Sequence, residues 1–308
     1  MSRSAFVAVI GAPNAGKSTL VNRLIGEKVS IVTQKVQTTR FPIRGVCAVG
    51  EVQLVFIDTP GVFSPRRRLD RAMVAAAWTQ AHDADLIVHL VDAKAEISQG
   101  RARGADLKAQ ADRRAIVAGL RQAERKAILA LNKIDLIRRD SLLELTTHLY
   151  AEGVYDQVFM ISGQTGSGLD DLKAALAAAA PEGPWLYPPD QVSDLPFRLR
   201  AAEVTREKLY LRLHQELPYA ANVETTAWAE DEDGVLRIEQ EILVERDGQK
   251  AIVIGQGGQT LKAIGQVARE EVSAMLNRPV RLFLTVRVSS NWADDRRRFE
   301  GLGLDYGT

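Results

Sequence analysis

A single cysteine, Cys47, is the only thiol in 308 residues, so no internal disulfide can staple this fold. A lone cysteine in a β-forming stretch reads as a small core residue, and a reducing compartment is expected. Long apolar runs are missing as well. Nothing approaches the roughly 20 residues that span a bilayer, and the longest early run, Ala5 to Ile10, lacks the form of a secretory signal. A cytoplasmic location is expected, leaving open a peripheral contact with the inner face of the membrane through an amphipathic face or basic patch. An excess of either charge is also absent. With 40 Lys and Arg against 39 Asp and Glu, the whole chain is neither a polycation nor an acidic tail. Any grip on nucleic acid must come from local arrangement.

What the chain does have is apolar material, 46% of its residues, enough for two packed cores at this length. Short apolar runs at Phe6 to Ile10, Gln53 to Ile57, Leu86 to Val91, Ala127 to Leu131 and Val158 to Ile161 read as strands. Between them, Lys17 to Ile25, Arg71 to Ala81, Arg113 to Ala123, Ser141 to Tyr150 and Leu169 to Ala180 carry apolar residues at helical spacing. Strand and helix in alternation predict a mostly parallel sheet covered on both faces. Pro181 to Pro189 then holds four prolines in nine residues and cannot sustain a helix. The reading divides the chain into a first domain at 1–180, a proline-rich linker at 181–196 and a second domain at 197–308. In the second, a helix is expected around Arg200 to His214, alternating stretches at Asn222 to Ala229 and Leu236 to Val244, a glycine turn at Gly255 to Gly258, a helix to Leu276 and a strand from Val280 to Val288.

The first domain carries Gly-Ala-Pro-Asn-Ala-Gly-Lys-Ser at 11–18, after one predicted strand and opening a predicted helix. Glycines allow successive backbone N–H groups to wrap phosphates, and the helix N-terminus adds a favourable dipole. Gly11, Asn14, Ala15, Gly16, Lys17, Ser18 and Thr19 are the candidate phosphate contacts, with Lys17 as a point charge and Ser18 suited to ligate Mg²⁺. Asp58-Thr59-Pro60-Gly61 lies at the carboxyl end of a strand, where such sheets bind ligands. On its own the tetrapeptide reads equally as a turn; joined to the first motif, it places Asp58 to hold the metal through its water shell and the Gly61 N–H to meet the terminal phosphate. Asn132, Lys133 and Asp135 follow another strand; an amide and a carboxylate there suit the N–H donors of guanine, which adenine lacks, although Asp135 also fits as a helix cap. Ser162 and Gly163 offer either a backbone N–H to the base or an ordinary turn.

These four motifs in this order resemble the translation-factor-type small GTPases over roughly residues 5 to 180. The resemblance implies a substrate GTP, a product GDP and a Mg²⁺ ion. It places Gln37-Thr38-Thr39-Arg40 in the first switch, where Thr39 closes on the metal and terminal phosphate, with Thr38 as the substitute. Lys17, Thr39 and Gly61 become the catalytic candidates, and Ser18, Thr39 and Asp58 the metal set. The residue after Gly61 is Val62, where many small GTPases keep a water-orienting glutamine, so slow intrinsic hydrolysis is expected.

In the second domain, Gly255-Gln256-Gly257-Gly258 looks like the glycine turn of a KH domain, where single-stranded nucleic acid approaches the backbone closely. A bare turn of this kind also caps helices. From residue 197 on there are 16 Lys and Arg against 18 Asp and Glu, so no bulk basic footprint supports it. The joint arrangement, with Asn291-Trp292-Ala293-Asp294-Asp295 near the end, is similar to the Era-like family of bacterial GTPases over nearly the whole length. That resemblance implies an α/β P-loop GTPase domain, its sheet mixed but mostly parallel, followed by a smaller α+β type II KH domain. It implies a monomer that binds the 3′ end of 16S ribosomal RNA and acts as a GTP-gated checkpoint in assembly of the 30S subunit. Lys250, Ile254, Gly255, Gln256, Gly257, Gly258 and Lys262 become the RNA-binding candidates, with Ile252 and Ile264 beside the groove. The run Arg296 to Arg298 is either a phosphate contact or a solvated helix face. The competing reading is a nucleotide-gated regulatory GTPase that binds membrane or protein and whose KH-like domain no longer holds RNA.

Overall fold

The structure, a computed structural model, describes residues 2–35, 37–98, 104–213 and 220–307. Its chain order is β1 (Arg3–Ile10), α1 (Lys17–Ile25), β2 (Ile43–Val49), β3 (Val52–Asp58), α2 (Arg68–Asp83), β4 (Leu86–Asp92), α3 (Ala93–Ile97), α4 (Gly104–Gln122), β5 (Ala127–Asn132), α5 (Arg139–Tyr150), β6 (Tyr155–Met160) and α6 (Leu169–Ala179). The strands form one sheet in the order β2-β3-β1-β4-β5-β6. Among the described residues of this sheet, only β2 runs antiparallel to its neighbour.

The pleat explains the apolar runs. On β1, Ala5, Val7 and Val9 face a core with Leu20, Val21 and Leu24 of α1 and Leu169, Leu172 and Leu176 of α6. Ala8 and Ile10 face the opposite core, built with Ala77 and Ala81 of α2, Ile116 and Leu120 of α4, and Leu142 and Leu145 of α5. Both faces are covered, so every position of a central strand favours an apolar side chain. The carboxyl ends of β1, β3, β4 and β5 therefore share one edge, delivering Gly11, Asp58, Asp92 and Asn132 to it.

The mixed sheet expected from the sequence is present, but β2 lay outside the predicted strands. It pairs with β3 from Ile43 opposite Asp58 to Val49 opposite Val52. A side chain at its Gly45 would place Cβ 2.0 Å from Ile25 Cδ1, so close packing on α1 demands glycine there.

The chain divides into two compact units, Met1–Ser30 with Val36–Asp194 and Leu302–Thr308, and Ile31–Lys35 with Leu195–Gly301. The proline-rich stretch is thus held by the first unit through residue 194, rather than spanning freely between two bodies. Arg3 pairs with Glu182, and Gly45 with Ser193, as isolated bridges. The Gln53 amide oxygen accepts from the Leu186 and Tyr187 N–H groups at 2.8 and 3.0 Å, and its amide nitrogen donates to the Tyr187 carbonyl. These bonds satisfy the backbone of a segment that makes no helix of its own.

The second unit contains α7 (Phe197–Arg212), β7 (Ala221–Glu230), β8 (Leu236–Val244), α8 (Asp247–Ile254), α9 (Gln259–Leu276), β9 (Val280–Val288) and α10 (Arg296–Gly301). The predicted first helix ends at Arg212, and its expected last residue, His214, lies outside the described residues. In the sheet β7-β8-β9, the first pair is antiparallel and the second parallel. Parallel β8 and β9 need a crossover, which α8, the glycine turn and α9 supply. Ile264, Ala268 and Val272 recur every four residues on α9 and bury one stripe against the sheet. Trp292 is buried and donates from Nε1 to the Ala220 carbonyl at 3.0 Å, so the Asn291–Asp295 stretch anchors the end of this unit.

Candidate nucleotide site and nucleic-acid groove

The glycine-rich loop adopts the backbone that its composition permits. Asn14 has φ 63° and Gly16 φ 101°, both left-handed. A Cβ at Gly16 would come 2.5 Å from Asn132 Nδ2, and one at Gly11 would meet the Leu90 carbonyl oxygen at 2.5 Å. Helix α1 starts at Lys17, so the first-turn N–H groups of Lys17, Ser18 and Thr19 have no partner within the helix and supply donors for an anion.

Lys17 is 6% exposed, and its Nζ donates to the Gly11 and Ala12 carbonyls at 3.1 and 3.0 Å. Burial lowers its pKa to about 8, against the opposing pull of Asp58. A bound phosphate would return the ammonium to its charged state. Nucleotide affinity should therefore hold below pH 8 and fall above it, by up to about tenfold per pH unit as the free protein loses the proton that the complex needs. GDP titrations from pH 7 to pH 9 test this, and a flat profile is the contrary result.

Asp58, at the end of β3, is fully buried, and burial pushes its carboxyl above the usual carboxylate range despite the Ser18 hydroxyl and the charge of Lys17. Ser18 Oγ donates to Asp58 Oδ2 at 2.7 Å, Thr39 Oγ1 donates to the same oxygen at 3.1 Å, and the two hydroxyls lie 3.0 Å apart. Adjacent oxygens around an octahedral Mg²⁺ at 2.0–2.1 Å stand about 2.9 Å apart. The trio has that spacing, and the buried Asp58 Oδ1 is left without a hydrogen-bond partner among the described residues. These residues fit a small hard cation. Thr39, rather than Thr38, joins the trio.

The guanine-directed motif is laid out differently from a simple row of base contacts. Asn132 is 3% exposed; its Nδ2 donates to the Ala15 carbonyl at 2.8 Å and its Oδ1 accepts the Gly163 N–H at 2.9 Å. It fastens the phosphate loop to the Ser162-Gly163 turn, so the Gly163 N–H does not stand open toward a base in this state. Lys133, at φ 64°, donates to the Asn14 carbonyl at 2.8 Å and to Asp92 Oδ2 at 2.6 Å. Asp92, which also caps α3 by accepting the Lys94 and Ala95 N–H groups, was missed by the motif reading. Its one sequence signal is an acidic residue closing an apolar strand. Asp135 is exposed on the turn Ile134–Leu136, and its carboxylate is engaged by no hydrogen bond or ion pair among the described residues.

In the Asp58–Val62 segment after β3, which would form a second switch, the Thr59 hydroxyl donates to the Val9 carbonyl at 2.7 Å and the Val62 N–H to the Gly11 carbonyl at 3.1 Å. A Cβ on Gly61 would lie 2.9 Å from Pro13 Cγ and 3.0 Å from Pro13 N, so only glycine lets this segment lie against the phosphate loop.

In the second unit, Gly255, Gly257 and Gly258 all have positive φ, at 72°, 58° and 77°. The turn joins α8 to α9, and beside it is a groove of about 410 Å³ lined by Gly258, Leu261, Lys262, Gly265, Gln266, Arg269, Leu282 and Leu284. Leucines supply an apolar floor, and Lys262 and Arg269 place cations at its rim. The sequence had found Gly258 and Lys262. It missed Leu261, Gly265, Gln266, Arg269, Leu282 and Leu284, while Lys250 and Ile254 do not line this groove. Ile264 is corrected outright: it is 2% exposed in the core, and Ile252 stands in solvent at 58%. The arginine run is largely committed to ion pairs, Arg298 with Glu224 and Asp295, and Arg296 with Glu300.

Fold and site together define a Mg²⁺-dependent P-loop GTPase followed by a KH domain. Family models agree: "50S ribosome-binding GTPase" matches residues 6–133 and "KH domain" residues 216–293. The chain is 60% identical over 307 residues to GTPase Era of Caulobacter vibrioides, covering 99% of this chain and 97% of that one. It is 55% identical over 305 residues to GTPase Era of Rhizobium meliloti, covering 99% and 94%. A crystal structure of Era in complex with MgGDPNP and nucleotides 1506–1542 of 16S ribosomal RNA matches with TM-score 0.90 at 34% identity, over 98% of this chain and 99% of that one. A variant of Aquifex aeolicus Era bound to GDP.AlF4- matches at 0.88, again with 34% identity and the same coverage. The chain belongs to the Era family of GTPases.

Proposed function

We propose that this GTPase reads its nucleotide state out as a hold on single-stranded RNA, the 3′ end of 16S ribosomal RNA, and so acts as a checkpoint in assembly of the 30S subunit. The observation that carries this reading is the groove beside Gly258, an apolar floor with cations at its rim, in a domain whose net charge offers no other basic footprint. The solved Era complex supports it, because that protein holds RNA and a GTP analogue together. Ser18, Thr39 and Asp58 would hold the Mg²⁺, which when bound neutralises charge on the phosphates. Lys17 and the α1 N-terminus bind and orient those phosphates, Asp135 accepts from the base, and Gly61 lets the second switch approach the terminal phosphate. The protein works as a monomer in the cytoplasm, and any membrane contact is peripheral; among the described residues no helix is long and apolar enough to cross a bilayer.

The test is fluorescence anisotropy with a labelled RNA of the 16S 3′ end, in Mg²⁺ with a non-hydrolysable GTP analogue and with GDP. Tighter binding with the analogue is expected. Lys262→Ala together with Arg269→Ala should weaken binding and reduce the slope of log affinity against log salt by about two. RNA affinity that ignores the nucleotide would sink the gated reading, and vesicle or protein binding without RNA binding would support its competitor.

A further inference from the structure

Gly119 on α4 and Gly265 on α9 both stand inside a helix, yet packing explains only the first. A Cβ at Gly119 would lie 2.4 Å from Cη2 of Trp78, so the indole ring demands glycine there. A Cβ at Gly265 would meet nothing closer than Leu284 Cδ1 at 3.3 Å, the movable tip of a side chain. Glycine inside a helix lowers stability relative to alanine, because ordering it costs more backbone entropy. Packing leaves Gly265 as an unforced weakness in α9.

Its surroundings point to a ligand. Gly265 lines the groove of about 410 Å³ together with Lys262 and Arg269 of the same helix. At about 100° and 1.5 Å per residue, the three positions fall within about 60° around the helix axis. The two cations stand about 10.5 Å apart along that axis, with Gly265 between them. Neither Lys262 nor Arg269 makes a hydrogen bond or ion pair among the described residues. In the same unit Arg278, Arg281 and Arg287 are each paired with a carboxylate. A bare strip of backbone thus lies between two uncommitted cations, with Leu284 of β9 closing one side.

We propose that Gly265 is the seat of one RNA base, which lies flat on the α9 backbone while the phosphates flanking it meet Lys262 and Arg269. A planar ring reaches van der Waals distance there only because no Cβ lifts it. Every base has such a face, so the seat selects an unpaired nucleotide rather than a particular base. A base inside a duplex has its faces covered by its neighbours and cannot enter. The proposal rests on the reading that this groove holds single-stranded RNA.

The test is fluorescence anisotropy on the full-length chain with a labelled RNA of the 16S 3′ end, and with the same RNA made abasic at one position at a time. Gly265→Ala should weaken binding of the intact RNA by about tenfold, the usual effect of a methyl group forced into a filled site. The slope of log affinity against log salt should stay as in the wild type, because no phosphate contact is removed. The melting temperature should hold or rise. One abasic RNA should bind wild type and variant equally, since without that base the methyl has nothing to displace. Equal binding of intact RNA by both proteins overturns the seat and leaves the reading of the groove standing, whereas a wild type that binds no RNA removes both. A melting temperature lowered by several degrees would assign the glycine to packing on Leu284. A tenfold loss shared by every abasic RNA would assign it to the shape of the helix. Either result overturns the seat.

Discussion

Asp135→Asn should weaken GTP binding by about two to four orders of magnitude and transfer preference to xanthosine nucleotides. A carboxylate accepting from both the ring N–H and the exocyclic amine makes two charge-assisted bonds, each worth about 1.5–3 kcal/mol. Their loss converts to that range at 1.4 kcal/mol per tenfold. Xanthine carries a carbonyl where guanine carries the amine, so an asparagine N–H restores a partner. Competition calorimetry with GTP and XTP measures the exchange, and unchanged GTP affinity would remove Asp135 from base recognition. The result is interpretable because Asp135 is exposed on its turn and tied to nothing among the described residues, so folding stability should move by no more than about 0.5 kcal/mol. Asn132 would make a poor substitute for this experiment. It bridges Ala15 and Gly163, so removing it loosens the phosphate loop and the turn together.

The contrast between Asp135 and Asn132 shows what sequence could and could not reveal. Phosphate chemistry restricts residue types so tightly that Gly11 to Ser18 is legible where it follows a strand, and Asp58 to Gly61 and Asn132 to Asp135 become legible once joined to it. Parallel topology then brings those strand ends to one edge. Partners distant in sequence carry no such local signature. Asp92 beside Lys133, and Gln53 binding the backbone at 186–187, involve separations of 41 and 133 to 134 residues. β2 was missed because Arg44 and Gly45 break its apolar pattern, yet Gly45 is what its packing on α1 needs. The KH groove failed for a matter of phase. Ile264 and Gly265 are neighbours in sequence, but one residue turns a helix by about 100°, and only the position of the sheet decides which faces the core. Hydrophobicity nominated the isoleucines near the turn; the floor is made by leucines from α9 and β9.

The same difference between motif and packing decides the rate of hydrolysis. Val62 stands where a water-orienting glutamine is common, but its side chain is 4% exposed in the core with Ala8, Ile10, Ala77 and Ala81. The Val62 N–H to the Gly11 carbonyl and the Thr59 hydroxyl to the Val9 carbonyl pin this segment to β1 and the phosphate loop. In this arrangement the side chain at position 62 is packed in the core. The isolated chain should therefore turn over at the order of 10⁻⁴–10⁻² s⁻¹ seen for unassisted GTPases, and turnover of tens per second would refute this account. Val62→Gln makes the sharper test. An amide forced into this core should lower stability by about 1–3 kcal/mol through unsatisfied polar groups, with single-turnover hydrolysis staying within about threefold of wild type. A tenfold gain in rate without a fall in melting temperature would show that the second switch swings its side chain out toward the phosphate. Otherwise orientation of the water falls to groups other than the side chain at position 62.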